Sequence, residues 1–153
     1  MDLDFIRKAI PMYQEAAFLV LRLCLIGIIF AFIIGLIVSI VRYYKLPVLS
    51  QFFEGYIELS RNTPLMIQLF FLYFGLPQVG IHLSAEVCGI LGLTFLGGSY
   101  FAEAIRGGLE SVPNLQMESA SSLGLSNMQT FLYVIFPQAI ANSFPSIGAN
   151  IIF

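Results

Sequence analysis

Apolar positions along this chain come in long uninterrupted blocks. Leu23 to Val41 holds no charged residue, nor do Asn62 to Ile81 and Val87 to Ala102, and everything from Ser119 to Phe153 is charge-free. A helix crossing a hydrocarbon core of roughly 30 Å needs about 20 mostly apolar residues. The first two blocks reach that length as they stand. The third reaches it when Glu86 and Glu103 lie at the two membrane surfaces. The fourth is interrupted by Gly124, Ser126 and Asn127, which leaves Met128 to Ile152 as its spanning part. The pattern predicts an all-α, multi-pass membrane protein forming one domain over 1–153, with spans at about 17–41, 62–81, 86–106 and 128–152.

Between the third and fourth blocks lies a polar interval, about 111–127, with its own punctuation. Pro113 and Asn114 make a reasonable helix start. A short polar helix from Leu115 to Leu123 then ends at Gly124, where glycine takes the left-handed conformation and Leu125 folds back towards Ala120. Ser126 and Gln129 have the capping-box spacing that starts the next helix. Nine residues of helix reach only about 13 Å, too short to span. Such an element lies at the membrane surface as a small knob; by pattern alone an ordinary polar loop fits equally well.

Composition removes the soluble alternatives. Hydrophobic residues make up 58% of the 153 and charged residues 10%, against about 45–50% and about 25% in globular chains. Seven Lys plus Arg against nine Asp plus Glu leave no extended basic face for nucleic acid. Cys24 and Cys88 both sit in apolar runs, so no disulfide scaffold is implied, and the single His82 excludes a multi-histidine metal site. Asp2, Asp4 and Glu15 spoil a positively charged leader, and Arg42 and Lys45 flank the first apolar run as a stop-transfer signal does. No internal repeat stands out. Arg42, Lys45, Arg61 and Arg106 fall on one side of the membrane, and Arg7 and Lys8 on the other. The excess marks the first side as cytoplasmic and places the N-terminus outside.

Glu118-Ser119-Ala120, then Gly124, then Phe136-Pro137-Gln138-Ala139 resemble the cytoplasmic "EAA" loop of binding-protein-dependent ABC importer permeases. Arg61-Asn62-Thr63-Pro64-Leu65 with Gln68-Leu69-Phe70 and Tyr73-Phe74-Gly75-Leu76-Pro77 is similar to the signature of the polar amino-acid permeases. So is Tyr100-Phe101-Ala102-Glu103 with Arg106-Gly107-Gly108. The resemblance covers Tyr56 to the C-terminus. Ser119 stands where the motif has its first alanine, Leu115 where a glycine usually precedes the loop helix, and Phe136 where a leucine precedes the proline.

The resemblance implies a type I ABC importer transmembrane domain in a bacterial inner membrane, moving polar amino acids. Such a subunit carries no cofactor and performs no chemistry of its own. Two separate ATPase subunits hydrolyse ATP, a second permease subunit completes the pore as a homo- or heterodimer, and an extracytoplasmic binding protein delivers the amino acid. Glu118, Ser119, Ala120 and Gly124 take the place of the family's coupling helix, with Glu118 facing a basic group on the ATPase. The family pattern usually continues past this point through a fifth span, so the resemblance also implies a C-terminally truncated permease, with Phe153 outside.

Other residues carry structural or gating expectations. Thr63 reads as a helix N-cap with Pro64 at the first helical position, starting the second span. Glu103 and Arg106 are one turn apart and form a local ion pair, with a gate as the second reading. Pro137 belongs to the loop motif. Arg22 snorkels outward, and His82 and Glu86 are loop and interface residues. Gly27, Ala31 and Gly35 repeat along one face of the first span, suited to close packing within the chain. An intramembrane hydrolase needs a nucleophile beside a base; Ser39, Ser99, Ser143 and Cys88 have no His or Asp among the spans. A small channel or scaffold without ATP coupling is the non-enzymatic alternative.

Overall fold

The computed structural model describes residues 3–152. Asp2 and Phe153, which enter the expectations about the N-terminal flank and the chain's end, lie outside the described residues. Among those described, every regular element is helical. Helix α1 runs Leu3–Tyr43, α2 Pro47–Asn62 and α3 Leu65–Phe70. The latter continues through a π turn at Phe71–Gly75 and a tight turn at Leu76–Val79. Helix α4 is Ala85–Glu110 and α5 Asn114–Ser122. A last helical stretch comprises α6 at Asn127–Thr130, a π turn at Phe131–Ile135 and α7 at Phe136–Ile152.

Two helices are long and apolar enough to cross a membrane unaided, α4 and the Ala9–Tyr43 part of α1. The expected spans at 62–81 and 128–152 fall on interrupted helical stretches. The stretch after Tyr43, expected as a loop around Lys45, is a helix for sixteen residues. Glu54, Glu58 and Arg61 masked it, because a polar face on a membrane helix reads as loop when only apolar runs are counted.

Helix α4 is the centre, with α1, the α2–α3 pair and α7 all packed on it. Helix α1 runs parallel to it. A methyl on Gly27 would stand 3.0 Å from the Leu93 side chain, one on Gly97 would stand 3.0 Å from Ala31, and one on Gly35 would stand 2.5 Å from Phe101. The small-residue face of α1 is therefore filled by α4 of the same chain. In lipid no hydrophobic force drives helices together, so such close backbone approach supplies the attraction. Ile105, Leu109, Phe131, Ile135 and Ala139 form the main core between α4 and the last helical stretch, and Val38, Ile57 and Ala102 form a second one under α2.

Antiparallel to α4, α7 makes the tightest crossing. A Cβ on Gly108 would overlap Ser143 Oγ and the backbone oxygen of Ala139, whereas one on its neighbour Gly107 would meet nothing within 4 Å. Backbone cannot rotate aside. Gly108→Ala is therefore expected to destabilise the bundle by about 2 kcal/mol through overpacking, while Gly107→Ala stays neutral or slightly stabilising. Thermal unfolding in detergent checks the pair; equal midpoints for both variants contradict this packing.

The two π turns have a common local origin. Phe71-Leu72-Tyr73 precedes Pro77-Gln78, and Phe131-Leu132-Tyr133 precedes Pro137-Gln138, with the π turn ending two residues before each proline. A proline ring clashes with the carbonyl four residues back, and the widened turn moves that carbonyl away. Gln138 Nε2 also donates to Val134 O at 2.7 Å. This is a short internal repeat that a scan for apolar blocks does not register.

Candidate functional site

The polar interval after α4 folds as a short stiff helix between two closed turns. Gly124 has φ +80°, the Gly124 N–H donates to Ser121 O at 3.0 Å, and the Leu125 N–H donates to Ala120 O at 3.1 Å. These bonds satisfy carbonyls that a helix end leaves bare. Ser126 Oγ accepts from the Gln129 N–H while Gln129 Oε1 accepts from the Ser126 N–H, a complete capping box that starts α6. Helix α5 begins at Asn114 with Pro113 in the cap position, and Leu123 is its C-cap.

One face of α5 rests on the bundle through buried Ala120, and the buried Val112 packs just before it. A larger side chain at 120 would lift the helix off the 131–135 turn it packs against. The outer face carries Leu115, Met117, Glu118, Ser119 and Leu123, all exposed. Glu118 has no ion pair among the described residues. A nine-residue knob with a mostly polar surface, two exposed apolar side chains at Leu115 and Met117 and one free carboxylate is suited to seating in a partner's cleft.

At the same end of the bundle, Glu103 gathers three arginines. Arg106 lies 3.2 Å away on the same helix, the pair the spacing predicts. Arg42 of α1 bonds it directly, and Arg61 of α2 stands at 3.8 Å with its guanidinium 5.2 Å from the centre of the Tyr100 ring. Glu54 and Glu110 flank the cluster, at 3.9 Å from Arg42 and 2.6 Å from Arg106. Arg42 and Arg61 were not foreseen as partners, since they lie 61 and 42 residues from Glu103 and no local spacing marks them. A cleft of about 620 Å³ opens beside Glu103 between α4 and α7, where Asn142 Nδ2 donates to Ser111 Oγ at 2.8 Å.

The helix break at Thr63–Pro64 departs from expectation. Thr63 closes α2 in an extended conformation, and Pro64 is itself the cap residue of α3, with no side-chain cap at all. Gln68 does the work instead. Its buried Nε2 donates to Ser60 O at 3.0 Å and to Thr63 O at 2.9 Å. Inside a bilayer a bare carbonyl has no water to turn to, so this amide holds the break together. Alongside, Ser60 Oγ lies 3.0 Å from Ser99 Oγ, and Tyr56 OH donates to Phe95 O at 2.7 Å, tying α2 to α4.

Gln68→Met removes both donations and also one amide oxygen that lacks a partner. The net loss is expected at roughly 1–2 kcal/mol, read as a lower unfolding midpoint in detergent. An unchanged midpoint would mean the break is held by packing alone.

Arg22 does not reach outward alone, for it is paired with Glu86 in the first turn of α4. The pair lies midway along α1, where α4 begins beside it, and both side chains stay largely exposed. Pro137 is the second residue of α7. Ser39, Ser99 and Ser143 donate to carbonyls of their own helices, at Leu36, Leu96 and Ala139. No nucleophile is poised by a base in this set, and among the described residues no group of three metal-ligating side chains comes together.

Residues 27–153 match the family described as binding-protein-dependent transport system inner membrane component. The chain is 41% identical over 132 residues to the probable glutamine ABC transporter permease protein GlnP of Bacillus subtilis (strain 168), covering 86% of this chain and 61% of that one. It is 36% identical to the probable amino-acid permease protein YxeN of the same organism, covering 99% of this chain and 69% of the relative. This chain thus spans about two thirds of the relatives' length. Among solved structures, that of an amino acid ABC transporter with histidines superposes with a TM-score of 0.88 at 32% identity, over 99% of this chain and 71% of that one. The methionine transporter MetNI shares the fold at a TM-score of 0.77 and 20% identity, over 95% and 70%.

Proposed function

The chain belongs to the binding-protein-dependent transport system inner membrane component family, and on that premise we propose that it is a permease subunit of an ABC importer for polar amino acids. The carrying observation is α5. It is short, clamped at its end by the Gly124 turn, braced by the capping box of α6, and exposed on its outer face. A knob of this kind passes on a push from a partner, whereas a flexible loop absorbs it. The energy then comes from separate ATPase subunits, two per complex, with Glu118 meeting a basic group on one of them. An extracytoplasmic binding protein supplies the amino acid, and a second permease subunit shares the pore.

In this reading the membrane is crossed at about 17–41, 62–81, 86–106 and 128–152, with α5 cytoplasmic and the N-terminus outside. Orientation rests on Arg42, Lys45, Arg61 and Arg106 against Arg7 and Lys8. Glu103, Arg106, Arg61, Thr63, Pro64 and Pro137 hold the bundle in shape around the coupling loop.

The experiment is ATP-driven uptake of amino acids into proteoliposomes holding this chain, its companion permease, the ATPase and the binding protein. Uptake is expected to require ATP and to vanish with an ATPase variant that cannot hydrolyse it. Passive flux without ATP would replace this reading with a channel.

A further inference from the structure

Beside the Thr63–Pro64 break, a cavity of about 480 Å³ lies between α1, α2, α3 and α4, a volume in the range of small-molecule sites. Ile34, Leu59, Ile67, Phe71, Leu72 and Leu91 supply apolar walls. Leu59, Ile67, Phe71 and Leu91 are exposed on the outside of the bundle, so the rim of the cavity is apolar as well.

Two polar groups interrupt this lining. Gln68 and Thr94 also line the cavity, with only 9% and 8% of their surface exposed. Gln68 Oε1 and Thr94 Oγ1 are two of the three buried side-chain oxygens that lack a hydrogen-bond partner among the described residues. The amide cannot turn over to hide its oxygen, because Nε2 already donates to Ser60 O and Thr63 O. Buried polar groups are rarely left unpaired, and two on the wall of one cavity call for a common partner.

Depth decides where that partner comes from. Leu91 stands five residues after Glu86, and Phe95 stands eight before Glu103, about 7 Å and about 12 Å along α4. Glu86 pairs with Arg22, and Glu103 with Arg42, Arg61 and Arg106. The cavity therefore lies between two levels of charge, in the hydrocarbon crossed by α4. A water there satisfies the two oxygens and leaves the remaining apolar volume empty. A molecule that arrives from lipid through an apolar rim is mostly hydrocarbon itself. One hydroxyl completes it, since its O–H donates to Gln68 Oε1 while its oxygen accepts from the Thr94 hydroxyl.

We propose that this cavity binds an uncharged lipophilic alcohol drawn from the membrane, with its hydroxyl between Gln68 and Thr94 and its chain against Ile67, Phe71 and Leu72. The site is distinct from the α5 knob and needs only that α4 spans the bilayer. Because Gln68 also braces the Thr63–Pro64 break, the bound alcohol holds the junction of α2 and α3 in place.

The test is photolabelling of the full complex in vesicles with octanol carrying a diazirine, read by mass spectrometry of the peptides that contain α3 and residues 87–95. These peptides are expected to be labelled in the parent and about fivefold less in Thr94→Val, the worth of one neutral hydrogen bond. Thr94→Ser keeps the hydroxyl and should label nearly as well as the parent. Thr94→Val removes an unpartnered hydroxyl with little change of shape. Its unfolding midpoint without octanol should match or exceed the parent's, which separates lost binding from a lost fold. A diazirine octane without the hydroxyl, at equal concentration in the bilayer, is expected to label parent and variant alike and weakly. Equal labelling of parent and Thr94→Val by the alcohol, or octane labelling as strong as that by octanol, overturns the alcohol site. Absence of label from these peptides in the parent overturns it too, and leaves the cavity to water or to a helix of a companion chain.

Discussion

Replacing Glu103 by alanine is expected to lower stability by roughly 2 kcal/mol, within the range for hydrogen bonds to charged groups. The carboxylate is the one group shared by Arg42, Arg61 and Arg106, which come from three different helices. Arg106 retains Glu110 and Arg42 retains a long contact to Glu54, but Arg61 loses its only ion partner among the described residues. The loss stays below that of a fully buried ion pair because Glu103 keeps 26% and Arg61 43% of the side chain exposed, which admits solvent screening. Glu103→Asp should recover part of the loss. The double variant Arg61→Gln/Glu103→Gln should be less destabilised than the sum of its single variants, since contacting charges couple. Thermal unfolding of the purified complex in detergent checks all of these, and a parent-like midpoint for Glu103→Ala would show the cluster to be ornamental.

Gly124→Val is expected to leave membrane insertion intact and to reduce both uptake and the stimulation of ATP hydrolysis by loaded binding protein roughly tenfold. At φ +80° an L-residue pays about 1–2 kcal/mol of backbone strain, which is worth a factor of about 5–30 in a conformational equilibrium. Nothing lies within 4 Å of a Cβ built on Gly124, so the effect is backbone strain alone and not a clash. Asparagine tolerates the left-handed region, and Gly124→Asn should retain most of the activity. If Gly124→Val transports normally with full ATPase stimulation, the α5 knob is not what transmits the push.

Local chemistry accounts for the parts of the molecule that could be seen in advance. The Gly124 turn, the Ser126–Gln129 capping box and the pairing of Glu103 with Arg106 each depend on residues within five positions of one another, so spacing alone specifies them. The apolar blocks of α1 and α4 are likewise set by the need to satisfy every backbone group inside hydrocarbon. The Gly27, Ala31 and Gly35 face was legible as a packing surface, though not its partner.

The rest belongs to the tertiary structure. Helix α2 was hidden because its polar face reads as loop until α4 packs beside it. Pro64 was expected to begin a helix capped by Thr63, yet the carbonyls at that break are satisfied by Gln68, a side chain held in place by buried packing. Arg22 meets Glu86, and Arg42 and Arg61 meet Glu103, across separations of 42 to 64 residues. Around α5 and α6 the amino-acid sequence determined where helices start, stop and turn, since those choices are made within a few residues. Which helices lie side by side, and hence which charges and amides find each other, was decided by close packing of small residues around α4, a condition no single stretch of the chain contains.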